Sequence, residues 1–111
     1  MNYIVPYFQI KNFPNSFGVN LQYRISPNQG CEIVDISSPI PGQGVGTLVY
    51  KEFELFLIQS DIKNVYAFTR YSNNKAHKWY LKMKFTSTCI PSFYFDEIEM
   101  KAWILTKFLA K

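Results

Sequence analysis

A chain of 111 residues has the length of one small domain. With 48% hydrophobic and 18% charged residues it has the composition of a folded core, which excludes intrinsic disorder. Two cysteines and a single histidine exclude a typical zinc site and a disulfide-dense secreted scaffold, while a net charge of +4 gives only a weak bias toward anionic partners.

No apolar run approaches the ~20 residues that a membrane helix needs. Met1 to Phe13 lacks a basic stretch followed by a long apolar one, so no signal peptide is expected and the cytoplasm is the default location. There is no repeat, low-complexity tract or linker, so residues 1–111 read as a single domain.

The first third alternates in strand fashion. Tyr3–Lys11 and Ser16–Ser26 are rich in β-formers and are separated by the turn residues Asn12-Phe13-Pro14-Asn15. A second turn, Pro27-Asn28-Gln29-Gly30, leads into a third strand, Cys31–Ser37, so an antiparallel meander is expected. The period then changes: Val45, Leu48, Val49, Phe53, Phe56 and Leu57 recur at helical steps, predicting a helix from about Gly44 to Ser60. Asn64–Tyr71 returns to strand character. Asn73–Lys84 is helical, with Ala76, Tyr80 and Met83 on one face and Lys75, Lys78 and Lys82 on another. Phe85–Lys111 reads as two strands around a Pro91-Ser92 loop, the last strand being about Glu97–Thr106. The order β-β-β-α-β-α-β-β makes this an α+β fold with a mixed sheet and two main helices.

The most informative local feature is the loop from Pro39 to Thr47, placed between a strand and a helix. Its glycines allow close backbone approach, and a helix start offers unpaired N–H groups, so the pair forms a phosphate cradle or a plain glycine-rich turn. A P-loop would need Gly-Lys-Ser/Thr, but Gly46 is followed by Thr47 and Leu48. A dinucleotide fold would need an acidic residue near Thr69-Arg70-Tyr71 and more βαβ units than the chain holds.

The strand–PGQGVG–helix–strand–SNNKAHKWYLKMKF arrangement resembles the GNAT superfamily of acyl-CoA-dependent N-acyltransferases. The family's loop pattern is Gln/Arg-x-x-Gly-x-Gly/Ala, which Gly44 and Gly46 fit. Its later helix reads Asn-x-x-Ala-x-x-x-Tyr-x-x-x-Gly-Phe, which Asn73, Ala76, Tyr80 and Phe85 fit. The resemblance implies a GNAT-like twisted sheet and acetyl-CoA as cosubstrate, with no metal. It implies pantetheine pairing at Val34, Asp35 and Ile36, and the pyrophosphate on the amides of Gly42, Gln43, Gly44, Val45, Gly46 and Thr47. Asn73 would lie near the pantetheine, and Tyr80 would protonate the departing thiolate.

The chain also departs from the pattern. Pro41 stands where Gln or Arg usually begins the loop, Lys84 replaces a glycine, and Phe68 occupies a strand position where some relatives carry a glutamate base. Glu32 and Asp35 remain as candidate bases, or as solvated or ion-paired carboxylates. About 30 residues precede the Cys31 strand, where relatives carry a strand and two helices that wall the acceptor site.

Two readings follow from the resemblance. One is an N-acetyltransferase acting on a primary amine, which an open cleft would allow to be on a protein or peptide. The other is a non-catalytic acyl-CoA-binding or interaction module. His77, among lysines, is expected to face solvent, Cys31 to be buried and Cys89 to be exposed. The lysines of the second helix form a solvated face or a contact to CoA phosphates. The lack of an RNP-like pattern argues against nucleic acid. The apolar stretch Trp103 to Leu109 is expected to be core or a homodimer surface, not a membrane anchor.

Overall fold

The computed structural model describes residues 9–26, 30–40 and 42–110. Eight elements follow in chain order: β1 (Lys11–Asn12), β2 (Asn20–Ser26), β3 (Gly30–Ser37), α1 (Val45–Gln59), β4 (Asn64–Arg70), α2 (Asn74–Lys82), β5 (Thr86–Phe95) and β6 (Ile98–Phe108). The six strands form one sheet in the order β1-β2-β3-β4-β6-β5, so the expected order and mixed sheet hold. β1, β2 and β3 form the antiparallel meander. The α1 crossover makes β4 parallel to β3, and β6 pairs antiparallel with both β4 and β5.

Both helices pack on one face of the sheet. Val49, Tyr50, Phe53 and Leu57 of α1 are fully enclosed against Tyr23, Ile33, Val65, Ala67 and Leu105, while α2 adds Tyr80 and the residues after it add Met83 and Phe85. Ring contacts of 4.9–5.1 Å from Phe53 to Tyr23 and Phe13 tie α1 to the meander. No described helix is long and apolar enough to cross a membrane.

Several boundaries shift for identifiable reasons. The expected strand Ser16–Ser26 starts only at Asn20, because Asn15 organises the preceding segment. Its Oδ1 accepts from the amides of Phe17 and Val19, and its Nδ2 donates to the carbonyls of Phe13 and Val19. The first expected strand is seen only as Lys11–Asn12, and its residues 3–8 lie outside the described residues, as do the turn residues 27–29.

The C-terminal hairpin turns at Asp96-Glu97, not at Pro91-Ser92. Both turn residues have positive φ, 49° and 69°, the type I′ requirement for a two-residue hairpin. Pro91 instead lies within β5, on the outer edge of the sheet beside a bulge between Ile90 and Phe93, where its missing N–H is not needed for pairing. Trp103 to Leu109 supplies core through the enclosed Leu105, whereas Phe108 is 86% exposed.

Both cysteines are free, Cys31 buried and Cys89 exposed. Burial, helped by the nearby charge of Glu32, pushes the Cys31 thiol up to about 12. A thiol reagent at pH 8 is therefore expected to modify Cys89 readily in the native protein and Cys31 only on unfolding. Equal reaction rates for the two would contradict this packing.

Candidate functional site

The parallel pair β3–β4 is short. Pairing covers Cys31–Val65, Glu32–Tyr66 and Ile33–Ala67 and then stops. Yet β3 continues along β2 to Ser37, and β4 continues along β6 to Arg70. The two strands therefore part beyond Ile33 and Ala67, and the sheet opens into a split. A bulge marks the point of departure: Ile33 pairs with Tyr23 and Asp35 with Gln22, leaving Val34 as the extra residue. Val34, Asp35 and Ile36 line the split and have no strand partner on the β4 side. Val34 and Asp35 are exposed, and Ile36 packs partly against the core.

The chain leaves β3 into the glycine loop. Gly42 and Gly44 have φ of 84° and 73°, and a Cβ at either would meet nothing within 4 Å, so backbone conformation is what requires glycine there. Gly44 is the N-cap of α1, with no side-chain cap, and no acidic residue sits in the first turn. The first intrahelical bond runs from the Leu48 amide to the Gly44 carbonyl at 3.1 Å. The amides of Val45, Gly46 and Thr47 therefore have no backbone acceptor among the described residues and sit at the positive end of the helix dipole, an arrangement that suits an anion. Pro41 lies outside the described residues.

α2 is held against this cradle. The Thr47 hydroxyl accepts a 3.0 Å hydrogen bond from the Trp79 indole, and Trp79 meets the Tyr50 ring edge-on at 5.4 Å. Asn73 caps α2: its Oδ1 accepts from the Ala76 amide at 3.1 Å, and its Nδ2 donors are left for another partner.

Tyr80 is 5% exposed, wedged between Trp79 and Phe85 with ring centroids 5.0 Å from each. Burial first, and the field of Asp35 second, raise its phenol above the ordinary tyrosine range. It therefore stays protonated where an ordinary tyrosine begins to ionise.

The helix ends in a Schellman motif, in which the amides of Lys84 and Phe85 bond the carbonyls of Leu81 and Tyr80 at 3.0 Å each. Lys84 has φ 74°, so this is the left-handed position that explains the glycine expected there, and lysine carries the strain instead.

The carboxylates named as candidate bases are both engaged. Glu32 forms a 2.9 Å ion pair with Arg24, and Asp35 accepts a 2.6 Å hydrogen bond from Asn20. His77 does not face solvent as its lysine neighbours suggested. It stacks on Trp103 at 4.1 Å and 10°, with its Nε2 buried and without a hydrogen-bond partner among the described residues, because its position on α2 faces β6. Trp103 in turn stacks on Tyr71 at 4.9 Å, which pins the start of α2 to the sheet. No motif marks that contact in the sequence.

The fold as a whole is matched among solved structures. Ard1 from Thermoplasma volcanium superposes with a TM-score of 0.71 at 18% identity, over 84% of this chain and 64% of that one. The chain has the GNAT acetyltransferase fold. The ribosomal-protein-S18-alanine N-acetyltransferase from Escherichia coli gives a TM-score of 0.70 at 15% identity, over 84% and 62%. A GNAT family acetyltransferase from Elizabethkingia anophelis with acetyl-CoA bound gives 0.63 at 21%, over 80% and 68%. The chain thus spans less than two thirds of the first two GNAT proteins it resembles. No protein-family model and no curated protein sequence matches it.

Proposed function

We propose that this GNAT-fold chain binds acetyl-CoA in the β3–β4 split and acts as an N-acetyltransferase on a primary amine. The observation that carries the reading is the split itself: backbone at Val34, Asp35 and Ile36 without a partner on the β4 side, the amides of Val45, Gly46 and Thr47 at the start of the helix that follows, and Tyr80 within the field of Asp35. The Elizabethkingia neighbour holds bound acetyl-CoA, and the Escherichia coli one is named for acetylating a protein's alanine.

In this reading the thioester supplies the activated acyl group, and the chain's residues do the rest. The amides at the α1 start hold the pyrophosphate. Free β3 amides pair with the pantetheine and meet the charge that develops on the acyl oxygen. Asn73 contributes its remaining donor. The Tyr80 hydroxyl gives its proton to the leaving thiolate, and its raised pKa keeps that proton in place throughout the working range. With Glu32 and Asp35 engaged, the acceptor arrives as a neutral amine and releases its proton to water.

Calorimetric titration with acetyl-CoA and with CoA tests the reading, run on the native protein and on Gly44→Glu. The variant puts a carboxylate at the cradle and an L-residue at positive φ. Saturable binding that weakens at least about tenfold in the variant is expected, on the scale of one unfavourable charge beside a phosphate. No binding at millimolar ligand would overturn it.

A second reading is favoured by one observation: no described helix covers the sheet face opposite α1 and α2. In that case the chain is an acyl-CoA-binding module without turnover, and titration would show binding while acetyl transfer to any amine stayed at the uncatalysed rate.

A further inference from the structure

Among the described residues, side-chain hydrogen bonds tie α2 to α1 at two places. Where α2 ends, Lys107 of β6 donates to Glu54 of α1 at 2.9 Å and to the carbonyl of the α2 C-cap, Met83, also at 2.9 Å. Nearer the other end of α1, the Trp79 indole donates to the Thr47 hydroxyl at 3.0 Å. This second tie joins two parts of the candidate site. Thr47 belongs to the helix start with the free amides, and Trp79 precedes Tyr80, its ring centroid 5.0 Å from the phenol ring.

The chemistry of the bond fixes which atom gives the proton. An indole N–H only donates, so the Thr47 oxygen is the acceptor. A threonine inside a helix commonly turns its hydroxyl back onto a carbonyl of the preceding turn. Thr47 makes no such bond: among the described residues the indole is the partner of its hydroxyl. The hydroxyl proton is therefore left to donate. Thr47 can offer an anion two donors from one residue, its amide and its O–H.

Packing alone does not account for the indole. The Trp79 ring meets Tyr50 edge-on at 5.4 Å and 82°, a contact that a phenylalanine would keep. What the N–H adds is direction. A β-branched side chain has few χ1 states, and the bond selects one of them for Thr47. A donor on the oxygen also polarises the hydroxyl, which strengthens its own proton as a donor.

Resting on the reading of this cleft as an acetyl-CoA site, we propose that Trp79 is a positioning residue. Its indole holds the Thr47 hydroxyl as a side-chain donor to the diphosphate, and it ties that contact to the helix that carries Tyr80. A diphosphate seated at the start of α1 engages Thr47, Thr47 holds Trp79, and Trp79 steadies the neighbouring phenol. The part of the cofactor that does not react thus helps to orient the acid that does. Trp79 itself touches neither the cofactor nor the acceptor and exchanges no proton with them.

The test is a double-mutant cycle read by CoA calorimetry on the native protein, Thr47→Val, Trp79→Phe and the double variant, with Thr47→Ser as the conservative control. Thr47→Val is expected to weaken CoA about tenfold, the scale of a hydrogen bond to a charged group. Trp79→Phe should weaken it at least about threefold in the native and Thr47→Ser backgrounds, and not at all in Thr47→Val, where the bond is already gone. The chain has two tryptophans, so the indole N–H signals supply a second readout. Inorganic pyrophosphate should shift the Trp79 signal saturably and leave that of Trp103 in place, and a native Trp103 signal in each variant reports an intact fold. Trp79→Phe affinity within about twofold of native, an equal loss in the Thr47→Val background, or a Trp79 signal that ignores pyrophosphate would each overturn the positioning role. If CoA fails to bind the native protein, the acetyl-CoA reading falls with it; if CoA binds and the two substitutions act independently, only the role of Trp79 falls.

Discussion

Tyr80→Phe is expected to lower kcat for acetyl transfer by about 100-fold or more, the typical contribution of a positioned general acid. CoA affinity and the thermal midpoint should change little. The ring stays enclosed by Trp79 and Phe85, and no hydrogen bond among the described residues holds the hydroxyl. Because burial and Asp35 raise the phenol's pKa, its protonated form persists above the ordinary tyrosine range. The native rate should therefore rise with pH as the acceptor amine loses its proton, without a falling limb near pH 10 from loss of the acid. A variant rate within about threefold of native, beside normal CoA binding, would remove Tyr80 from the chemistry and leave it a packing residue.

Phe53→Ala should be the most damaging single core change, at about 3–5 kcal/mol. The ring is fully enclosed and contacts Phe13, Tyr23 and Phe56, so it joins α1 to the meander across the helix-covered face. The gap left has rigid aromatic walls that collapse poorly. For a domain of this size the loss should lower the thermal midpoint by roughly 15 °C. Since α1 carries the phosphate cradle at its start, CoA binding should weaken along with stability. A midpoint drop of only a few degrees would mean the helix is anchored elsewhere.

The element order and both helices were legible because their periods are clear: Val49, Phe53 and Leu57 recur on one face of α1, and Asn73 is a side-chain N-cap for α2. The glycine loop was legible because Gly42 and Gly44 adopt positive φ, which glycine takes without the strain an L side chain would bring. What did not show was set by tertiary pairing. The turn at Asp96-Glu97 lacks glycine, so the more conspicuous Pro91-Ser92 drew the break, although an edge strand tolerates proline. The bulge at Val34 comes from register between β2 and β3, which no local pattern encodes. His77 looked solvated among lysines, yet its side of α2 meets Trp103, a residue from a strand 26 positions later. The same holds for Glu32 and Asp35, whose partners Arg24 and Asn20 are cross-strand neighbours.

The most direct measurement is an amide-resolved NMR titration of the isotope-labelled protein with acetyl-CoA. The account predicts saturable perturbations concentrated at Val34, Asp35 and Ile36, at Gly42 to Thr47, and around Asn73 and Tyr80, with the β2–β3 half of the opposite face silent. Perturbations confined to the lysines of α2, or none at all at saturating ligand, would contradict a cofactor seated in the β3–β4 split.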